Sequence, residues 1–63
     1  MKVLKLEQNK ELHVYTTTKV SNKELKTIAN KNNVTGYKTN LFESYIMAGI
    51  VPVFDYYKYV LNY

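Results

Sequence analysis

The chain has 63 residues, the size of one small domain, and it contains no cysteine and no tryptophan. Nine lysines against five acidic residues give a net charge of +4, and the isoelectric point is near 9.4. The missing cysteines exclude disulfide bridges and thiolate metal sites. The longest uncharged run, Ser44 to Phe54, falls short of the roughly 18 residues that a membrane-spanning helix needs, so no membrane association is expected.

Two segments near the start predict a β-hairpin. Residues 3–6 alternate weakly between apolar and polar side chains, and residues 12–18 are richer in strand-forming types. The polar segment 7–11 between them is typical of a turn. An exposed edge strand here would also allow two copies to form a homodimer by strand addition. The side chains expected to face inward are Leu4, Leu6, Leu12 and Val14.

Residues 20–25 predict the start of a helix. Ser21 can cap the backbone N–H of Glu24 while Glu24 reaches back, which is the arrangement of a capping box. Val20 and Leu25 stand at the positions of a hydrophobic staple, a second and independent start signal. We therefore expect a helix over residues 22–32.

The segment that follows predicts a loop and a second helix. Gly36 stands at an expected positive-φ position in the loop. Asn40 and Glu43 repeat the spacing of a helix start, and Gly49 is a suitable helix end. The unit 20–49 would then be helix, extended loop, helix. The apolar stripe of its second helix is Leu41, Phe42, Tyr45, Ile46 and Ala48.

Residues 50–63 are compatible with two structures. Pro52 interrupts any helix that continues from the preceding segment. The apolar residues beyond it fit helical spacing, but they are also strand-forming types, so both alternatives stay open, and a third short helix is favoured. The predicted fold class is α+β. It is a single domain with a β-hairpin (1–18) packed on a helix–extended-loop–helix (20–49), followed by a short C-terminal helix or strand (50–63).

The helix–loop segment resembles the Rho N-terminal and SAP modules over residues 20 to about 46. Tyr45 and Ile46 stand where those families carry an apolar pair in their second helix. The chain departs from them at Leu41-Phe42, where a basic residue is usual. The resemblance implies nucleic-acid binding, although the related LEM modules bind protein, so the fold alone does not decide the function. The residues that match the pattern are Leu25, Ala29, Val34, Gly36 and Tyr37.

The charge distribution favours contact with the phosphate backbone. Residues 1–38 carry eight lysines and three glutamates, whereas residues 39–63 carry one lysine, one glutamate and one aspartate. Lysine attracts phosphate as a point charge. Arginine, which supplies most bidentate base recognition in other proteins, is absent from this chain. We therefore predict a small basic protein that binds DNA or RNA with little sequence specificity. Its predicted nucleic-acid-binding residues are Lys23, Lys26, Lys31, Tyr37 and Lys38, with Tyr37 either in the core or against a base or sugar.

The alternative function is a protein–protein interaction module that binds or inhibits a host protein. Four of the seven tyrosines lie between residues 56 and 63, where positive charge is scarce. Tyrosine is enriched in protein interfaces, so this segment suits a protein partner better than a nucleic acid. The predicted interface residues are Tyr56, Tyr59 and Tyr63, while Phe54, Tyr57 and Leu61 are expected in the core.

No catalytic group of residues is visible. His13 is the single histidine and Asp55 the single aspartate, so neither a triad nor a histidine-rich metal site can be assembled. We therefore expect no enzyme activity, no cofactor and no metal. The first residues lack the apolar core of a signal peptide, which favours the cytoplasm. The many Asn, Lys, Tyr and Ile residues suit an AT-rich gene, as in a phage or mobile element.

Overall fold

A computed structural model describes all 63 residues and contains one four-stranded antiparallel sheet and one α-helix. The spatial order of the strands is β1-β2-β4-β3, so β1 and β3 form the two edges. The helix lies on one face of the sheet, and the other face carries no further element. The elements are β1 (Lys2–Leu6), a single 3-10 turn (Glu7–Asn9), β2 (Glu11–Thr16), α1 (Asn22–Lys31), β3 (Lys38–Ala48) and β4 (Val51–Asn62).

The predicted first helix is confirmed almost to the residue. The Ser21 hydroxyl accepts a hydrogen bond from the backbone N–H of Glu24 at 3.2 Å, and Ser21 itself is extended at φ −71° and ψ 159°. Leu25 and Ala29 form the buried face of α1. The positive φ expected at Gly36 is also present, at 63°. At ten residues, this single helix cannot cross a membrane.

Replacing Ser21 with alanine should lower the free energy of unfolding by about 1 kcal/mol. The Glu24 N–H would lose its side-chain acceptor at a helix end where no other group replaces it. Ser21→Asp is the matched control, since a carboxylate accepts the same hydrogen bond and complements the helix dipole. Urea unfolding followed by circular dichroism gives the free energy of unfolding of both variants. Equal losses of stability would show that the Ser21 hydroxyl does not stabilise the helix through this hydrogen bond.

The N-terminal hairpin is confirmed, but half of its predicted core is wrong. Leu12 and Val14 are fully buried beneath α1, as expected. Leu12 stands opposite Lys5, however, so alternation turns Leu4 and Leu6 to the face away from the helix. A register that differs by one residue exchanges the two faces of a strand, and neither segment alone specifies the register.

The predicted second helix is wrong. The predicted fold, in which the N-terminal hairpin packs on a helix–extended-loop–helix, is therefore wrong as well. Residues 38–48 form β3, which pairs antiparallel with β4 over its whole length. Asn40 and Glu43 therefore cap no helix, and Gly49 forms a hairpin turn instead of a helix end. Four of its eleven residues are β-branched or aromatic, and pairing with β4 outweighs the helical spacing of the segment.

The favoured third helix near Pro52 is also wrong, whereas the strand alternative for residues 50–63 is correct. Pro52 lies in the second position of β4, opposite Met47. The β2 strand pairs only with residues 57–62 of β4, so at Pro52 the β4 strand has a neighbouring strand, β3, on one side only. Proline is tolerated there because its missing N–H removes no hydrogen bond from a second neighbour.

The core lies between α1 and the paired halves of β2 and β4. No residue of β3 and none of residues 51–56 is buried. The hydrophobic core is therefore confined to one end of the sheet, and the β3–β4 hairpin extends beyond it. The buried core cluster is Leu12, Val14, Leu25, Ala29, Val34, Tyr59 and Leu61, with Val20, Ile28, Tyr37, Tyr57 and Tyr63 packed against it.

Candidate interaction site on the β3–β4 hairpin

A long two-stranded extension is the most prominent surface feature of the molecule. The β2 strand pairs with β4 only from Tyr57 onward. Between Tyr57 and the hairpin turn, β3 and β4 have no third strand beside them. We call residues 44–56 the arm. The principal extents of the molecule, 41 × 25 × 17 Å, reflect this elongation.

The arm and its base expose most of the large apolar side chains on the protein surface. Eight of the eleven exposed large apolar residues fall within residues 41–53, and the one charged residue of the arm is Asp55. These side chains are divided between the two faces of the hairpin. The eight residues are Leu41, Phe42, Tyr45, Ile46, Met47, Ile50, Val51 and Val53.

The tip of the arm is a tight two-residue turn. Gly49 stands at φ 67° in its first central position, and the φ of Ile50 is negative, which is the pattern of a type II′ hairpin turn. Ile50 is 92% exposed at the extreme end of the hairpin. Polar residues are usual in such turns, so an isoleucine here places an apolar group where a partner can reach it.

Aromatic rings connect the arm to the core along the helix side of the sheet. A β-bulge leaves Asp55 unpaired, so that Ser44 opposes Tyr56 while Tyr45 opposes Phe54. Phe54 lies 4.5 Å from Tyr57 and 6.0 Å from Tyr45 between ring centroids. Because Tyr57 packs against the core, this row of rings fixes the direction of the arm relative to the body.

Tyr45 and Glu43 form a polar pair at the base of the arm. The Tyr45 hydroxyl donates a hydrogen bond to the Glu43 carboxylate at 2.9 Å. This hydrogen bond, together with the negative charge of Glu43, raises the pKa of Tyr45 above its ordinary value of 10.0. The Tyr45 hydroxyl thus serves as a hydrogen-bond donor to Glu43.

The face of the sheet opposite α1 carries a smaller aromatic group. The Tyr15 and Tyr56 rings meet edge to face at 5.7 Å, and the Lys58 ammonium lies 5.7 Å from the centre of the Tyr15 ring. On the same face His13 Nε2 lies 3.2 Å from a carboxylate oxygen of Glu11. The protein's own side chains thus cover part of this face at the body, but not along the arm.

The three tyrosines predicted for a protein interface are not on one surface. Tyr59 is 4% exposed, and its hydroxyl accepts a hydrogen bond from the Val20 N–H at 2.8 Å, so it belongs to the core. Tyr63 packs against the core from the helix side, and its buried hydroxyl has no hydrogen-bond partner. Tyr56 is half-buried on the opposite face of the sheet.

The residues predicted to contact nucleic acid are also distributed over different elements. Lys23, Lys26 and Lys31 are exposed on α1, and no acidic side chain forms an ion pair with them. Lys38 is exposed at the first position of β3, not in a loop before a helix. Tyr37 is half-buried and packs against the core. The structure therefore groups the three helix lysines on one element and places the other two residues elsewhere.

Sequence reasoning missed the arm itself, although a signal for it was present. The uncharged run from Ser44 to Phe54 is too short for a membrane span, and the sequence prediction divides it between the second helix and the C-terminal segment. The same run has Gly49-Ile50 at its centre and strand-forming residues on both sides, which is the pattern of a hairpin with a type II′ turn. Read in that way, it predicts an apolar hairpin without a charged residue.

Comparison with protein-family models, curated proteins and solved structures found no match for this chain. Function therefore has to be inferred from the surfaces described above. The side chains that could act as metal ligands do not gather in groups of three or more. The two features that remain are the apolar arm and the lysines of α1.

Proposed function

We propose that this protein is a protein-interaction module that binds its partner through the arm. The observation that carries this proposal is the exposure of eight large apolar side chains on one hairpin outside the core. Apolar surface of this extent costs free energy in water, and binding a partner removes that cost. A nucleic acid offers little apolar surface in return, whereas a protein does.

The size and composition of this surface fit a protein partner. Two of the eight exposed side chains, Phe42 and Tyr45, are aromatic, and an aromatic side chain can bury about 150–250 Å² when fully covered. A standard protein–protein interface buries about 800 Å² per partner. The arm also combines aromatic residues and Met47 with few charges, the composition of an interface centre.

Backbone contact with nucleic acid through the lysines of α1 is a second candidate function. The observation that favours it is that Lys23, Lys26 and Lys31 are all exposed and unpaired on one helix. Only Glu24 lies among them as an opposing charge. Such contacts would weaken steeply as salt concentration rises, because binding releases counterions from the phosphates.

One capture experiment separates the two candidates. Tagged protein is incubated with bacterial lysate supplemented with an isotope-labelled, untagged copy of the chain, and captured proteins are identified by mass spectrometry. Ile46→Ser combined with Val53→Ser removes two cross-strand neighbours from the arm. Capture should fall by at least about tenfold, since each lost apolar contact is worth roughly 1.5 kcal/mol or more.

The matched control is Lys23→Gln combined with Lys26→Gln, which changes two exposed residues of α1 and leaves the arm intact. This variant and nuclease treatment should leave protein capture unchanged. Capture that survives the arm substitutions but is lost with the lysine substitutions or with nuclease would overturn the proposal in favour of nucleic acid. Circular dichroism of both variants verifies that neither has unfolded.

A further inference from the structure

We infer that the occupant of the arm is a second copy of this chain, paired antiparallel through the free edges of β3. This inference rests on the proposed function, because it names the partner of the same surface. The two copies form one continuous sheet with four strands from each, and both α1 helices lie on the same face.

The two edges of the sheet differ in how they are protected. The β1 strand has five residues and carries Lys2 and Lys5, which are features that discourage pairing with another chain. The β3 strand has eleven residues, contains no proline, and has its one lysine at its first position, Lys38. The extra residue of the bulge belongs to β4, so β3 is continuous. The β3 edge is therefore open for strand addition along its whole length.

Two-fold symmetry restricts how two β3 strands can meet. An antiparallel edge-to-edge pair is related by an axis perpendicular to the sheet, so opposed residues point to the same face, and the residue on the axis opposes itself. The side chain on the axis must lie directly beside its own copy, and Ser44 allows this because it is small and uncharged. With Ser44 on the axis, each residue from Asn40 to Ala48 has a partner in the other strand.

This register brings apolar residues opposite apolar residues on both faces. On the face away from α1, Phe42 of one copy opposes Ile46 of the other. On the helix side, Leu41 opposes Met47. Aromatic and aliphatic cross-strand pairs each contribute about 0.2–1 kcal/mol, and each of these two pairs occurs twice in the dimer. Four of the eight exposed large apolar side chains, those of Leu41, Phe42, Ile46 and Met47, therefore become cross-strand neighbours in the dimer.

Charge disfavours the symmetric registers centred on Phe42, Glu43 or Tyr45. A register centred on Glu43 would oppose two carboxylates, which is destabilising. Registers centred on Phe42 or Tyr45 would place the Glu43 carboxylate opposite an apolar side chain. Only the register centred on Ser44 places Glu43 opposite Tyr45, whose hydroxyl already donates to Glu43 within one copy at 2.9 Å and can donate equally to the other.

Single-cysteine crosslinking tests both the dimer and its register, since the chain has no cysteine of its own. Opposed residues in an antiparallel pair have Cα atoms about 4.5–5.5 Å apart, within the range that a disulfide bridges. Ser44→Cys should therefore form a disulfide-linked dimer under mild oxidation. The rate should be at least tenfold higher than for Phe42→Cys alone, since equivalent Phe42 residues are offset by four positions, or about 13 Å.

The paired control mixes two single variants. Phe42→Cys and Ile46→Cys should each crosslink poorly alone but should form the mixed disulfide readily when combined. Equal crosslinking of all variants, or a 7.4 kDa species for the wild-type chain at millimolar concentration in sedimentation, would overturn the inference. If the arm substitutions instead reduce the capture of no protein, the labelled copy included, the proposed function is overturned, so the two failures are distinguishable.

Discussion

Replacing Leu61 with alanine should unfold a large fraction of the protein at 37 °C. Leu61 is 0% exposed and lies in β4, directly opposite Leu12 of β2 and Thr39 of β3. A Leu→Ala change at such a position costs about 2–5 kcal/mol, because transfer free energy is lost and a cavity remains. A chain of 63 residues has about 3–9 kcal/mol of stability in total, so this single change removes a large share of it.

Leu4→Ala is the matched control for this prediction. It is the same chemical change in the same sheet, but Leu4 is exposed on the face away from α1. Its cost should stay below about 1 kcal/mol, because little apolar area returns to water. Urea unfolding at one fixed protein concentration gives both values, and equal losses would contradict the assignment of Leu61, but not Leu4, to the core.

The first helix could be predicted from the sequence because its signals are local. The Ser21–Glu24 cap, the apolar spacing of Leu25 and Ala29, and the left-handed turn near Gly36 all involve residues close together in the chain. Interactions over three or four residues decide such an element, and no distant partner is needed. The N-terminal hairpin was predictable for the same reason, as its strands are separated by a short turn.

The second half of the chain could not be predicted in the same way, because the apolar pattern of β3 does not distinguish a strand from a helix. Residues 41–48 satisfy helical spacing, and they show no alternation of apolar and polar residues, since apolar side chains occupy both faces of the arm. A strand with one buried face shows a clear alternation of apolar and polar residues, and β3 has no buried residue to create that alternation. Its pairing with β4 is therefore not visible in β3 alone.

The lack of alternation in β3 carries functional information as well. If this segment served only the stability of the monomer, polar residues would be expected on its exposed faces. Leu41, Phe42, Tyr45 and Ile46 are instead all exposed. The residues that obscured the fold in the sequence are the same residues that define the candidate interaction site, as expected where function competes with the local pattern.

Replacing Tyr59 with phenylalanine should lower the free energy of unfolding by about 1–3 kcal/mol. The ring would stay in the core, but the Val20 N–H, just before the helix cap, would lose the acceptor that it contacts at 2.8 Å. Tyr45→Phe is the matched control, since it removes a hydrogen bond of nearly equal length, 2.9 Å, from an exposed pair, and should cost under about 0.5 kcal/mol. Because Tyr59 was predicted as an interface residue, the Tyr59→Phe variant also tests its assignment. If Tyr59→Phe leaves the stability unchanged and abolishes partner capture, Tyr59 belongs to the interface. If it lowers the stability in urea unfolding, Tyr59 belongs to the core.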